Sequence, residues 1–293
     1  MKNIKENIFY FITATGAFLS GILVLVVFFY IFKESIPFLK EVGWNDFLLG
    51  DTWSPMSEKA QYSFLPMILA TLYVSFMASA IAVIMGTGCG LFLTFCVKEK
   101  YSKIILSFID MLAGIPSVIF GFLGLVLLVK LMETHLGMVS GESVLAGGLL
   151  LSVMLFPYVV TGCAETFVIL KDKYLVPSTS LGVSKWYCIR RIILPAACGS
   201  IFVNMLLALS RALGETMAVM MVMGNSPVFP RLLGRAETIP SLIALEMGTA
   251  TYNSIHYSAL YAGGLILVIL ITIIQAAAYR LKKIMSRGDE SEN

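Results

Sequence analysis

FLPMILATLYVSFMASAIAVIMGTGCGLFLTFCV, residues 64–97, runs for 34 residues without one charged side chain. A helix needs about 20 apolar residues to cross the hydrocarbon core of a bilayer, whereas a strand in a globular domain is usually about 5–6 residues long. This stretch is therefore a membrane helix. At about 1.5 Å per residue it is too long for one perpendicular crossing. Gly86, Gly88 and Gly90 near its end predict a kink, a tilt or an extension into the cytoplasm.

Five further stretches read the same way: Ile8 to Phe32, Ile104 to Val129, Leu145 to about Leu170, Ala196 to Met223 and Ser258 to Tyr279. The chain has 293 residues, of which 58% are hydrophobic and 13% charged. Soluble domains carry about 25% charged residues, so the solvent for most of this chain is lipid. The first apolar run exceeds the core of a signal peptide, about 7–15 residues, and lacks a small-residue cleavage site, so it reads as a retained span. The fold class is all-α, with six transmembrane helices.

Basic residues accumulate in short loops on the cytoplasmic side. With the N-terminus inside, fourteen Lys and Arg side chains face inward and six outward, leaving Arg211 as the last of the 21. Both termini are therefore expected in the cytoplasm. The chain divides into residues 1–63, the first span and an outer loop; 64–280, the main membrane domain; and 281–293, a cytoplasmic tail whose end, Ser286 to Asn293, reads as disordered. Glu34 to Ser63, with Trp44 and Trp53, reads as an outer loop containing a short amphipathic piece at the interface. The net charge of +3 gives no argument for nucleic acid. The five cysteines show no C-x-x-C spacing and read as packing residues.

Arg211 and Glu215 fall near the middle of the fifth apolar stretch. An ionised Arg at that depth costs about 2.5–3.5 kcal/mol on insertion scales, so it requires a reason. Residues four apart share a helix face, and two readings follow. The pair is a structural ion pair locking helices together, or Arg211 presents its fork of donors to a tetrahedral oxyanion while Glu215 holds it when the anion is absent. Thr216 adds a hydroxyl to either arrangement or back-bonds to its own helix. Glu165, likewise costly in lipid, predicts that the fourth helix extends beyond the membrane.

VPSTSLGVSKWYCIRRIILP, residues 176–195, reads as a short helix-turn-helix below the membrane, broken at Gly182 and ending where Pro195 opens the next span. Trp186 and Tyr187 on a basic background make a surface suited to a cytoplasmic partner. The spacing from Gly182 to Ile-Ile-Leu-Pro resembles the cytoplasmic loop of ABC importer permeases, where a Glu-Ala-Ala triplet precedes the glycine. Here Val176, Pro177 and Ser178 stand instead. DMLAGIPSVIFG (110–121), ALSRALGETMAVMMVMGN (208–225) and TIPSLIALEMG (238–248) closely resemble the phosphate-specific members, and the last stretches favour the C-type of the two paired permeases.

The resemblance implies the type I ABC importer permease fold in a bacterial plasma membrane. It also implies a second permease subunit, two cytoplasmic ATPase subunits and an extracytoplasmic phosphate-binding protein. It assigns Arg211 and Glu215 to phosphate translocation, with Thr216 beside them. It assigns Ser180, Gly182, Lys185, Trp186 and Pro195, within a loop of about 171–195, to ATPase coupling. No catalytic or metal site and no cofactor is implied for this chain, and ATP belongs to the partners, because no G-x-x-x-x-G-K-[ST] is present.

Rival readings are a permease for molybdate, tungstate or sulfate, an intramembrane hydrolase, and a passive channel or secondary carrier. The hydrolase would need paired catalytic groups at membrane depth. Neither G-x-S-x-G nor H-E-x-x-H occurs, and His135 and His256 read as surface residues at the outer boundary. A channel or carrier would have no use for the cytoplasmic loop.

Overall fold

The computed structural model describes residues 2–290. Six helices in it are long and apolar enough to cross a membrane. The first, α1 (Lys2–Glu41), extends nine residues past the expected Phe32 and lies exposed along one edge of the bundle. Its ring of Tyr30 meets Tyr261 edge-on at 5.8 Å, which fixes α1 to the last helix. The short α2 (Trp44–Leu49) is the expected helical piece of the outer loop, and a two-residue hairpin follows, pairing Trp53 with Tyr62. Trp53 does not lie at a lipid interface. It is buried against Phe64 at 4.8 Å, in an outer cluster with Phe38, Phe47 and Met67.

The second span, α3 (Leu65–Phe95), is one uninterrupted helix through its glycines. The physical role of those residues is close approach. A Cβ on Gly86 would lie 2.7 Å from Val159 Cγ1, and one on Gly90 would lie 3.2 Å from Cys163 Cβ. Small residues one helical turn apart let two membrane helices meet backbone to backbone. Gly88, on the other face, meets nothing within 4 Å.

The third stretch departs from the expected single span over Ile104–Val129. An amphipathic helix, α4 (Glu99–Ala113), stops at Gly114-Ile115-Pro116, and the span proper is α5 (Ser117–Leu136), with a π-wound turn at Gly124–Val129. Proline cannot donate the backbone bond that would continue the helix, and it biases the residue before it away from helical geometry. The fourth span, α6 (Val144–Ser180), is the most enclosed of the six and, at 37 residues, is longer than one crossing of a bilayer needs. Ser143 caps it by accepting from Ala146 N at 3.2 Å. Its next free amides donate outward, Val144 N to Gly234 O and Leu145 N to Leu232 O, so a segment of the 223–236 connection closes the helix end.

The fifth span is also in two pieces. A continuous helix, α7 (Lys185–Leu213), rises from the cytoplasmic loop, ends, and is followed after a break at 214–216 by the short α8 (Met217–Val222). α8 seats on α5 at Gly121, where an added Cβ would be 3.0 Å from Ala218 Cα. Then come α9 (Ile239–Glu246) and the last helix, α10 (Ile255–Glu290). α10 continues well beyond Tyr279, so the tail read as disordered is helical up to Glu290, and 291–293 lie outside the described residues. Cys163 and Cys188 are buried as expected, whereas Cys96 and Cys198 are exposed.

Candidate functional site

Arg211 occupies the last turn of α7, and Glu215 lies beyond the end of that helix. The two therefore do not share a helix face, which corrects the expectation from their spacing. Among the described residues no ion pair joins them. Glu215 turns instead to the start of α8, where its Oε1 accepts from Ala218 N at 3.3 Å. A carboxylate there meets the positive end of the short helix. Thr216 lies in the break rather than on a helix, and its Oγ1 donates to Gly214 O at 3.3 Å.

Arg211 stacks its guanidinium 4.1 Å from the centroid of the Tyr158 ring on α6. Stacking over an aromatic face is worth about 0.5–2 kcal/mol and leaves the in-plane N–H donors free. Tyr158 also ties down the break before α5, its hydroxyl donating to Ala113 O at 3.1 Å. One turn further along α6, Thr161 Oγ1 donates to Asp110 Oδ1 at 2.6 Å. Glu165, four residues on, is exposed on the same side. Tyr158, Thr161 and Glu165 follow the 3.6-residue period, so they form a polar stripe along one face of α6.

The depth of this stripe is set by counting along α6. Tyr158 is 14 residues from Val144, about 21 Å of helix, or roughly two-thirds of the way through a ~30 Å hydrocarbon core. Arg211 and Asp110 are both exposed there on the isolated chain. Exposed charge at such depth does not face lipid; it faces a bundle interior or a water-filled cavity. Asp110, Tyr158 and Thr161 are the members that the sequence reading does not assign. Signals for them exist: Asp110 is the sole charge in the stretch 104–129, and the stripe has helical spacing.

The cytoplasmic residues form the expected small unit. Val176–Ser180 is helical, Gly182 adopts φ +78°, and Ser184 accepts from Tyr187 N to start α7. Ser180 Oγ donates to Val176 O at 3.1 Å. The Lys185 ammonium donates to Phe95 O at the end of α3, and Trp186 is 68% exposed. Trp186 borders an apolar cavity of about 230 Å³ lined also by Phe92, Phe95 and Ile189. Pro195 lies within the continuous helix just after a π-wound turn at Ile189–Ile193, rather than at a fresh start.

On the outer side, His256 is not a surface residue: it is 7% exposed, with Nε2 2.7 Å from Glu246 Oε2. Glu246 also accepts from Trp53 Nε1 at 3.0 Å, so one carboxylate joins hairpin, α9 and α10. His135 is exposed, as expected. Among the described residues no group of His, Cys, Asp and Glu gathers in a way that could hold a metal ion.

Residues 86–287 match the family pattern of the binding-protein-dependent transport system inner membrane component. The chain is 33% identical over 226 residues to the probable ABC transporter permease protein YqgH of Bacillus subtilis, covering 77% of this chain and 73% of that protein. It is 31% identical to the phosphate transport system permease protein PstC of Mesorhizobium japonicum, covering 97% and 92%, and 31% identical to PstC of Haemophilus influenzae, covering 92% and 90%. Among solved structures, the inward-facing MetNI methionine ABC transporter aligns with TM-score 0.58 and 17% identity over 75% of this chain and 94% of that one, a likeness of fold. The architecture is the type I ABC importer permease fold, whose members work with ATPase and binding-protein partners. With six spans, a cytoplasmic loop between the fourth and fifth, and a pattern matched over most of its length, this multi-pass inner-membrane chain belongs to the family of binding-protein-dependent transport system inner membrane components.

Proposed function

We propose that this chain is the phosphate-conducting permease subunit of an ATP-driven importer. It pairs with a second permease, takes phosphate from an extracytoplasmic binding protein, and is driven by two cytoplasmic ATPase subunits. The near full-length similarity to the PstC proteins supports phosphate as the cargo. The observation that carries the reading is the guanidinium of Arg211, exposed at membrane depth and held by a ring rather than by a carboxylate. Its donors are thereby free for an oxyanion, which a locked structural ion pair would not allow.

Arg211 binds the anion through charge-assisted hydrogen bonds, Glu215 keeps α8 seated, and the Ser180–Pro195 region receives motion from the ATPases. Lys185, bonded to the end of α3, links that loop to the second span. Alternating access then consists of rocking helix groups about a fixed site. Hydrogen bonds to a charged group contribute about 1.5–3 kcal/mol each, so Arg211→Gln lowers phosphate uptake by about 10- to 100-fold. The measurement is radiolabelled uptake in cells lacking other phosphate systems, at matched membrane abundance. Uptake at the parental rate removes Arg211 from the pathway.

A further inference from the structure

The guanidinium of Arg211 attracts any tetrahedral oxyanion, phosphate or sulfate alike, yet the groups around it are mostly acidic. Asp110 is hydrogen-bonded one turn along α6, Glu165 lies a turn beyond, and Glu215 stands at the base of α8. Carboxylates beside an anion path look counterproductive, because like charges brought together cost several kcal/mol. The chemistry of the cargo resolves this. Inorganic phosphate at neutral pH keeps at least one O–H, a hydrogen-bond donor, whereas sulfate and molybdate carry none.

We propose that Asp110 is a specificity-determining residue, accepting the O–H of a protonated tetrahedral oxyanion held at Arg211 and repelling oxyanions that have no proton to donate. The proposal rests on Arg211 lying in the passage, as argued above. Tyr158 and Thr161 display the guanidinium and the carboxylate one helical turn apart on the same face of α6. An anion bonded at both ends makes charge-assisted hydrogen bonds of about 2.5–2.9 Å to each of the two groups. Thr161 is a positioning residue: its hydroxyl occupies Oδ1 at 2.6 Å and leaves Oδ2 for the anion. A site that hydrogen-bonds a donor on its ligand rejects the analogue lacking it far more strongly than a merely apolar site does.

The binding protein also selects its anion, so the test must read the permease alone. The whole transporter is reconstituted in proteoliposomes with ATP in the lumen, which corresponds to the cytoplasm, and binding-protein-delivered phosphate outside. Luminal phosphate or sulfate is then titrated as an inhibitor of uptake, since either reaches the inward-open site without the binding protein. Wild type is expected to need at least about 100-fold more sulfate than phosphate for half-inhibition, because a like-charge penalty of several kcal/mol spans two or more factors of ten. Asp110→Asn, which keeps the bond from Thr161 but not the charge, is expected to close that gap to about threefold or less, while Asp110→Glu keeps it. Thr161→Val is expected to fall between.

An unchanged sulfate-to-phosphate ratio in Asp110→Asn, at normal abundance and with Arg211→Gln inactive, overturns the proposal and leaves the reading of Arg211 intact. Full uptake by Arg211→Gln overturns both. Absence of inhibition by either anion in wild type overturns the proposal, because the site is then closed to the lumen. Faster or slower uptake in Asp110→Asn with no change of ratio marks the residue as a latch between α4 and α6, and also overturns it.

Discussion

Replacing Gly86 with alanine puts a methyl group where Val159 Cγ1 lies at 2.7 Å, Val159 Cβ at 2.9 Å and the backbone nitrogen of Val160 at 3.3 Å. Rotating Val159 relieves the first contact only. A Cβ and a peptide nitrogen move only with the helix that carries them, so α3 and α6 must separate along the seam they share. Gly90 sits on the same seam, with Cys163 Cβ at 3.2 Å and Ala164 N at 3.3 Å from its added Cβ. Overpacking of this sort costs about 1–3 kcal/mol, and alanine recovers up to about 1 kcal/mol of helix propensity. Gly88→Ala is the internal reference: it has the same propensity gain and nothing within 4 Å. The difference between the two variants therefore isolates packing, at about 1–3 kcal/mol in favour of Gly88→Ala. Unfolding in mixed micelles, with denaturing detergent increased stepwise and helicity followed, measures it. Midpoints that coincide for Gly86→Ala and Gly88→Ala would refute the seam.

Two further outcomes follow from single side chains. Tyr158→Phe keeps the ring beneath Arg211 and loses only the bond to Ala113, worth about 1 kcal/mol. It should retain uptake within about threefold of wild type, whereas Tyr158→Leu also loses the stacking and should fall about tenfold; equal rates for the two would show that the ring is dispensable. Glu237, 4% exposed just before α9, has its carboxyl pushed from 4.5 to about 7, first by burial and then by the charge of Glu246. The folded state then holds a proton that the unfolded chain releases between those values, so stability falls as pH rises through that window and is lowest above it. A tenfold difference in proton affinity between the two states corresponds to about 1.4 kcal/mol, and residual hydration reduces the sum, so Glu237→Gln should stabilise by about 1–2 kcal/mol at pH 8 and little at pH 4. Thermal unfolding at both values decides it, and an equal gain at each would place the effect elsewhere.

The six spans are legible because the apolar runs exceed what any soluble fold uses, and hydropathy reads that directly. It is blind to short breaks inside a run that stays apolar on average. Gly114-Ile115-Pro116 and Gly214-Glu215-Thr216 each interrupt a continuous apolar run, and the second break takes Glu215 off the face that its spacing from Arg211 suggests. Arg211 announces itself as an isolated charge. Asp110 is likewise the sole charge of its stretch, but its pairing with Thr161 beside Tyr158 exists only once α4 folds back against α6. The glycines at 86, 88 and 90 read as a kink, a tilt or an extension in the sequence, whereas Gly86 and Gly90 serve close approach, which only the identity of what lies opposite reveals. His256 escapes the sequence reading for a similar reason: its position along the chain is at a boundary, and only the folded hairpin covers it with Trp53.

The stack of Arg211 on Tyr158 has a mechanical consequence. α7 is a rod of 29 residues, about 44 Å long, with the cytoplasmic loop at one end and the guanidinium near the other. The break at 214–216 separates that end from α8, which is seated on α5. A forked pair with a carboxylate would lock the rod at one registry through two directed bonds. The face of a ring holds a cation without such direction, so a shift of α7 along its axis would carry the charge across the ring without breaking a directed bond.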